Sequence, residues 1–252
     1  MDSPSVWLVV SDLHCGSTVA LHPPEFECDE GYSVKHNKLT GEIWKHWEGM
    51  RGWAAAIAGN RPMGLLVNGD TVEGVHHKTT QVWSPDPVDH GRAAIACLAP
   101  LAEMADRVVV VSGTECHTGN SERRLAEHFA GEYYDVFRES INGVQTMALH
   151  HMPATGRQWL LANGLGMEMA NHQLCETRAG NPMPRLFVMS HRHVFGCFTD
   201  GHSCAIATPA WQGLTRYGHK VVRGQNVAIG GLLLEFNAVG ELPNVHVYRK
   251  QL

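Results

Sequence analysis

The tightest constraint in this sequence is a series of short apolar runs, each of which empties into side chains that bind metals. Residues 6–10 read Val-Trp-Leu-Val-Val, and the chain passes at once into Ser11-Asp12-Leu13-His14-Cys15-Gly16. An apolar, largely β-branched run of this length fits a strand covered on both faces, as in a parallel sheet. The pattern recurs. Residues 63–67 lead into Asn68-Gly69-Asp70, and residues 107–111 into Ser112-Gly113-Thr114-Glu115-Cys116-His117. Residues 145–149 then lead into His150-His151, and residues 185–189 into Ser190-His191-Arg192-His193. Open α/β sheets place their ligands at the C-terminal strand edge, which is where these residues would lie. In extended chain, residues i and i+2 face the same way, so Asp12 and His14 are expected to grip one cation together.

The segments between the runs alternate between helix and loop. Residues 42–58 carry Ile43, Trp47, Met50, Ala54 and Ile57 at spacings of three and four, a core-facing helix closed by Gly59. A second helix is expected from about Asp89 through Met104, with Ile95, Leu98, Ala102 and Ala105 inward and a kink at Pro100. A third starts near Glu122 and ends at Gly131, and a fourth, with Met167, Ala170, Leu174 and Cys175 as its apolar face, stops near Gly180. Residues 17–41, with a small basic group at Lys35, His36 and Lys38, and residues 75–87, with His76-His77-Lys78 and Trp83, read as loops. Residues 204–207, 227–236 and 245–248 read as strands with little helix between them, which predicts a second, more antiparallel sheet packed on the first.

Composition narrows the function. The 252 residues show no linker or repeat, so one domain spanning 1–252 is expected. A net charge of −5 gives no footprint for wrapping nucleic acid. The seven cysteines form no C-x-x-C pair, as befits free thiols in a reducing compartment. With no leader segment and no apolar run approaching about 20 residues, the expectation is a soluble, cytoplasmic protein without membrane contact. The 17 histidines stand out, many of them at the ends of the apolar runs. Five exits carrying D-x-H, N-G-D, G-T-E-C-H, H-H and H-x-H offer more ligands than one metal needs and a fair set for two. A carboxylate such as Asp70 could bridge two cations about 3.5–4 Å apart.

These residues resemble the motifs of the calcineurin-like metallophosphoesterases, including a loose similarity to members from phage or prophage. The family's D-x-H falls on Asp12 and His14, its G-D on Gly69 and Asp70, and its G-H-x-H on Ser190-His191-Arg192-His193, with Ser190 in place of glycine. The family's isolated histidine falls on His150 or His151, of which His150 ends the run directly. The resemblance implies a four-layer α-β-β-α sandwich, with two mixed β-sheets flanked by helices and the metal site at the C-terminal strand ends. It also implies that Asp12, His14 and His193 hold one metal, that Asp70 bridges, and that His191 with His150 or His151 holds the other.

The third motif departs from the family's G-N-H-D/E. Gly113 is followed by Thr114, Glu115, Cys116 and only then His117. Two readings stand open: His117 replaces the asparagine as a ligand, which is preferred, or it is the general acid. The expected activity is hydrolysis of a phosphate ester, a diester ahead of a monoester, by a hydroxide bridging two divalent ions. Mn2+ ranks ahead of Fe or Zn2+, and the substrate would be a small phosphoester or nucleotide. A nuclease using Arg216, His219, Lys220 and Arg223 and a non-catalytic metal-binding module are the alternatives. Oligomeric state is left open.

Overall fold

The chain enters at β1 (Val6–Val10), every residue of which is buried. The computed structural model describes residues 4–76, 79–152, 160–221 and 227–252. A hairpin of β2 (Glu25–Glu27) and β3 (Ser33–Lys35) comes next, followed by α1 (Lys38–Ala58). Residues 17–41 are therefore not all loop. Asn37 starts the helix ahead of its apolar stripe: its side chain accepts from the N–H groups of Leu39 and Thr40, and its own N–H reaches the Thr40 hydroxyl.

Strand β4 (Met63–Asn68) is buried throughout and is followed by α2 (Pro87–Ala102). That helix is capped by Asp86 rather than begun at Asp89, and holds Pro100 within it. Strand β5 (Arg107–Val111), the short α3 (Glu115–Thr118) and α4 (Ser121–His128) complete the first half. Strands β6 (Glu132–Tyr134), β7 (Phe137–Ile141) and β8 (Val144–Leu149) precede α5 (Leu161–Arg178). Then come β9 (Leu186–Met189), β10 (Gly196–Thr199), β11 (Cys204–Ala207), α6 (Arg216–Val221), β12 (Ala228–Glu235) and β13 (Asn244–Gln251).

Apart from the β2–β3 hairpin, the strands form two mixed sheets. One runs β13-β12-β1-β4-β5-β6, the other β10-β11-β9-β8-β7. β1, β4, β5 and β6 are parallel, as are β8, β9 and β11, so the exits of the ligand-bearing strands gather at common edges. The placement of β12 and β13 corrects the expectation of a second sheet made from the C-terminal strands. They extend the first sheet instead, β12 pairing antiparallel with β1. β12 is apolar on both faces, Ile229 and Leu233 on the helix side and Leu232 and Leu234 on the other, and so suits an interior position in either sheet.

Three apolar clusters bind these elements. The first joins one face of the six-stranded sheet to α1, α2 and α4 through residues such as Leu8, Leu65, Trp47, Leu98 and Leu125. In the second, Val9, Leu66, Val109 and Leu232 of that sheet meet Phe137, Ala148, Val188 and Ile206 of the other. The third seats α5 on the five-stranded sheet through Leu161, Leu165 and Met169 against Met147, Phe187 and Ala205. The face of α5 is thus not the expected one. Met167 is 72% and Leu174 49% exposed, while Leu161, Leu165 and Met169, spaced by four, point inward.

Candidate metal centre

The loops at the strand exits are joined before any side chain is considered. The N–H groups of Asp12, His14 and Cys15 donate to the carbonyls of Gly69, Asp70 and Thr71 at 2.9, 3.0 and 3.0 Å, fastening the D-x-H loop to the G-D loop. The H-x-H loop closes on them, the His191 N–H donating to Asp12 Oδ2 at 3.3 Å. The backbone differs from the extended geometry expected of D-x-H. Asp12 (φ 52°), His14 (47°), Asp70 (49°), His191 (71°) and His193 (53°) all occupy the left-handed region, where among the described residues only Ala130 and Asn142 join them outside glycine. Such a backbone costs about 1–3 kcal/mol at each non-glycine position, and it persists where the surroundings enforce it. Five strained positions falling on five candidate ligands is a concentration that packing alone does not account for.

The side chains converge. His193 Nε2 lies 3.2 Å from both Asp12 Oδ1 and His14 Nε2. Asp70 Oδ2 is 3.0 Å from His150 Nε2, 3.9 Å from His14 Nε2 and 3.9 Å from His191 Nδ1. Ligand atoms group as Asp12, His14 and His193, as Asp70, His150 and His191, and as His14, Asp70 and His117, each set within 4.8 Å. Asp70 thus stands between two ion-sized groups. Two glycines permit the approach: a Cβ on Gly69, itself at φ +81°, would strike the His150 ring, and one on Gly113 would strike the Asp70 backbone and carboxylate.

The buried carboxylates and imidazoles shift one another strongly. Burial disfavours the Asp12 carboxylate, but His193 and His150 outweigh it and hold Asp12 down to about 2. Burial likewise opposes a charged His150, yet Asp12 and Asp70 lift it to about 10. Asp12 Oδ1 and His150 Nε2 are buried without completing a hydrogen bond, and the Nε2 atoms of His14 and His193 face each other. Orphaned oxygen and nitrogen donors aimed into one space fit divalent ions with mixed carboxylate and imidazole ligation.

Several residues that fix this geometry carry no signal in the sequence. Glu73 is foremost. Its Oε2 lies 2.9 Å from His14 Nδ1 and accepts from Gln212 Nε2 at 2.8 Å, its Oε1 is 3.3 Å from His76 Nε2, and its carbonyl receives His117 Nδ1 at 2.8 Å. Burial opposes its ionisation, but the His14 contact overrides this and keeps Glu73 at about 2. His150 is turned by Nδ1 donating to the Asn68 carbonyl at 2.8 Å. Ser11, Thr208, Ser190 and Asn68 form a buried polar chain behind Asp12, with successive contacts of 2.7, 2.7, 2.8 and 2.6 Å from Asp12 Oδ2 inward. Ser190, the departure from glycine in the last motif, is thereby a member of that chain. Glu122 on α4 accepts from the N–H groups of Thr71 at 3.2 Å and Gly113 at 2.5 Å, and burial pushes it up to about 7.

In the third motif, His117 comes within ligand distance of His14 and Asp70, and Thr114 also lies against Asp70. Thr114 stands by Asp70 and His191: its Oγ1 is 3.1 Å from Asp70 Oδ2 and 3.2 Å from His191 Nδ1, and its N–H donates to Asp70 Oδ1 at 2.6 Å. His117 sits on the other side, its ring 4.9 Å from that of His14. Burial, then His14, lower it to about 4, so its ring is neutral, with Nδ1 carrying the proton that Glu73 receives. His151 is exposed, 5.3 Å from the His191 ring, and joins none of the ligand groups among the described residues. Of the basic cluster, Arg216 and His219 are exposed, while Arg223 and the Lys220 side chain lie outside the described residues, as do His77 and Lys78.

No family model matches the chain, and no curated protein matches it. Solved structures do resemble it. An archaeal phosphodiesterase is 9% identical with a TM-score of 0.45, covering 98% of this chain and 99% of its own. A metallophosphoesterase from Sphaerobacter thermophilus is 9% identical, TM-score 0.42, over 96% and 88%. Wild-type Vps29 from Entamoeba histolytica, complexed with zinc, is 12% identical, TM-score 0.44, over 98% of each. Likenesses this distant decide nothing about chemistry, and none supports the phage or prophage association. The reading of the site rests on its own residues. Among the described residues no helix is long and apolar enough to cross a membrane.

Proposed function

We propose that the protein is a metal-dependent hydrolase of phosphate esters, built as the four-layer sandwich that its motifs imply. The observation that carries this reading is Asp70, held in a left-handed backbone between Asp12, His14 and His193 on one side and His150 and His191 on the other. Two divalent ions held there would supply Lewis-acid neutralisation of a phosphoryl group and an activated water, Mn2+ ranking ahead of Fe and Zn2+.

The chain's own residues define the remaining tasks. Asp12 and Asp70 provide the negative charge that the cations need, and their ion-pair partners among the described residues are all imidazoles. The absence of a lysine or arginine there favours a singly charged diester over a dianionic monoester. Glu73 fixes the Nδ1 face of His14, leaving Nε2 toward the centre. His117 in this state offers a lone pair, which suits ligation or proton acceptance rather than donation. Seven free thiols accord with a cytoplasmic setting.

The test is hydrolysis of bis(p-nitrophenyl) phosphate and p-nitrophenyl phosphate by protein stripped of metal and reloaded with Mn2+. The reading expects turnover that depends on Mn2+, faster on the diester, and lost in Asp70→Asn. Metal-independent turnover, or turnover that survives Asp70→Asn, would refute it.

A further inference from the structure

Beside the centre, His76, Cys116 and His117 bring one sulfur and two imidazoles within 4.8 Å of one another, His117 lying within the same distance of His14 and Asp70. Cys116 and His117 are consecutive on α3, the segment that lengthens the third motif, and the His76 ring packs edge-on to His117 at 4.1 Å, closer than the 4.9 Å separating His117 from His14. Both imidazoles are already oriented. His117 Nδ1 donates to the Glu73 carbonyl at 2.8 Å, which leaves Nε2 as its bare nitrogen, and His76 Nε2 lies 3.3 Å from Glu73 Oε1. Ligating histidines characteristically give their second nitrogen to a carboxylate or a backbone carbonyl, and here one residue serves both.

We propose that His76, Cys116 and His117 form a further cation site at the rim of the centre, a thiolate and two imidazoles suited to Zn2+. Thiolate and imidazole are the donors zinc takes in closed and open tetrahedral sites, at about 2.3 and 2.0–2.1 Å respectively. Cys116 binds as the thiolate, its proton passing to solvent, to which the residue is exposed. Three protein ligands leave the fourth position open on that side. The Asp12/Asp70 centre contains no sulfur, so the two sites differ in donor chemistry. The site also gives the segment from Thr114 to His117 a purpose: Thr114 stays with Asp70 while Cys116 and His117 turn to a separate ion.

Cobalt reports this directly, since Co2+ takes zinc's ligands and a Co2+–thiolate bond adds a near-ultraviolet charge-transfer band. Full-length protein, stripped of metal and kept reduced, is titrated with Co2+ and its bound metal is counted. The expected result is a thiolate band in the wild type, abolished in Cys116→Ser with one bound ion fewer, weakened in His76→Ala, and retained in Asp70→Asn. No thiolate band in the wild type, or one undiminished in Cys116→Ser, overturns the proposal. A band lost in a folded Asp70→Asn would overturn it as a separate site. Failure of the phosphoesterase reading looks different: the band persists, but Mn2+-dependent hydrolysis never appears.

Discussion

The two ligand groups flanking Asp70 are positioned by different means. In the group of Asp12, His14 and His193, side chains do the positioning: Glu73 holds His14 at 2.9 Å and the Ser11 hydroxyl donates to Asp12 at 2.7 Å. In the group of Asp70, His150 and His191, the main chain does it: the Asn68 carbonyl turns His150, the Thr114 N–H seats Asp70, and Gly69 and Gly113 make room. The first group should therefore yield to a change of one buried carboxylate. The second should yield to whatever disturbs its loops.

Asp70 belongs to the second group and its carboxylate also lies 3.9 Å from His14 of the first, so its replacement should have the largest effect. Asp70→Asn keeps a residue tolerant of the left-handed backbone but weakens the charge between the groups. Turnover should fall by several orders of magnitude, with thermal unfolding of the metal-free protein little changed. Retention of most activity with both ions bound would erase the comparison, since the groups would then not depend on the carboxylate between them.

Glu122 ties together the loops of the second group, and its pH dependence has a definite sign. Burial raises it from 4.5 to about 7, so the folded state holds its proton more tightly than the unfolded one. That contribution is full below pH 4.5 and disappears as pH rises through 7. It amounts to roughly 3 kcal/mol at 1.36 kcal/mol per pKa unit. Urea unfolding of wild type and Glu122→Gln across this window should show wild type losing stability relative to the variant. Parallel curves would mean that Glu122 does not titrate there.

Glu73→Gln should weaken metal binding at the first group by about 10–100-fold and spare the second, as removal of a histidine's outer partner does. Titration calorimetry with Mn2+ would show one weakened site beside one unchanged. Equal weakening of both would contradict the division. The smallest effect is expected at Thr114→Val, which removes one hydroxyl beside Asp70 and His191 and should cost the second group about 1 kcal/mol in metal affinity.

Strands were legible in the sequence wherever both faces are buried. β1, β4, β5 and β9 fall on the apolar runs because a strand covered on both sides is apolar over nearly all its length. β6 and β7 escaped notice because Glu132-Tyr133-Tyr134 and Phe137-Arg138-Glu139-Ser140-Ile141 are short edge or near-edge strands with polar residues. α5 was legible as a helix but not in its orientation, since it carries apolar residues on both faces. The ligands stood out through their positions at the ends of runs. Glu73 did not, because its importance arises from His14 and His117, distant in sequence, which meet it only in the fold. Thr114 was hidden by the expectation that a histidine would fill the place. The left-handed backbone of Asp12, His14 and Asp70 was invisible because these residue types show no preference strong enough to announce it.

The central claim is that Asp70 joins two metal ions, and electron paramagnetic resonance of the Mn2+-loaded protein tests it most directly. The account predicts an exchange-coupled signal from a pair of Mn2+ ions in the wild type, replaced by uncoupled single-ion spectra in Asp70→Asn. A wild-type spectrum showing only isolated ions at full loading would contradict it.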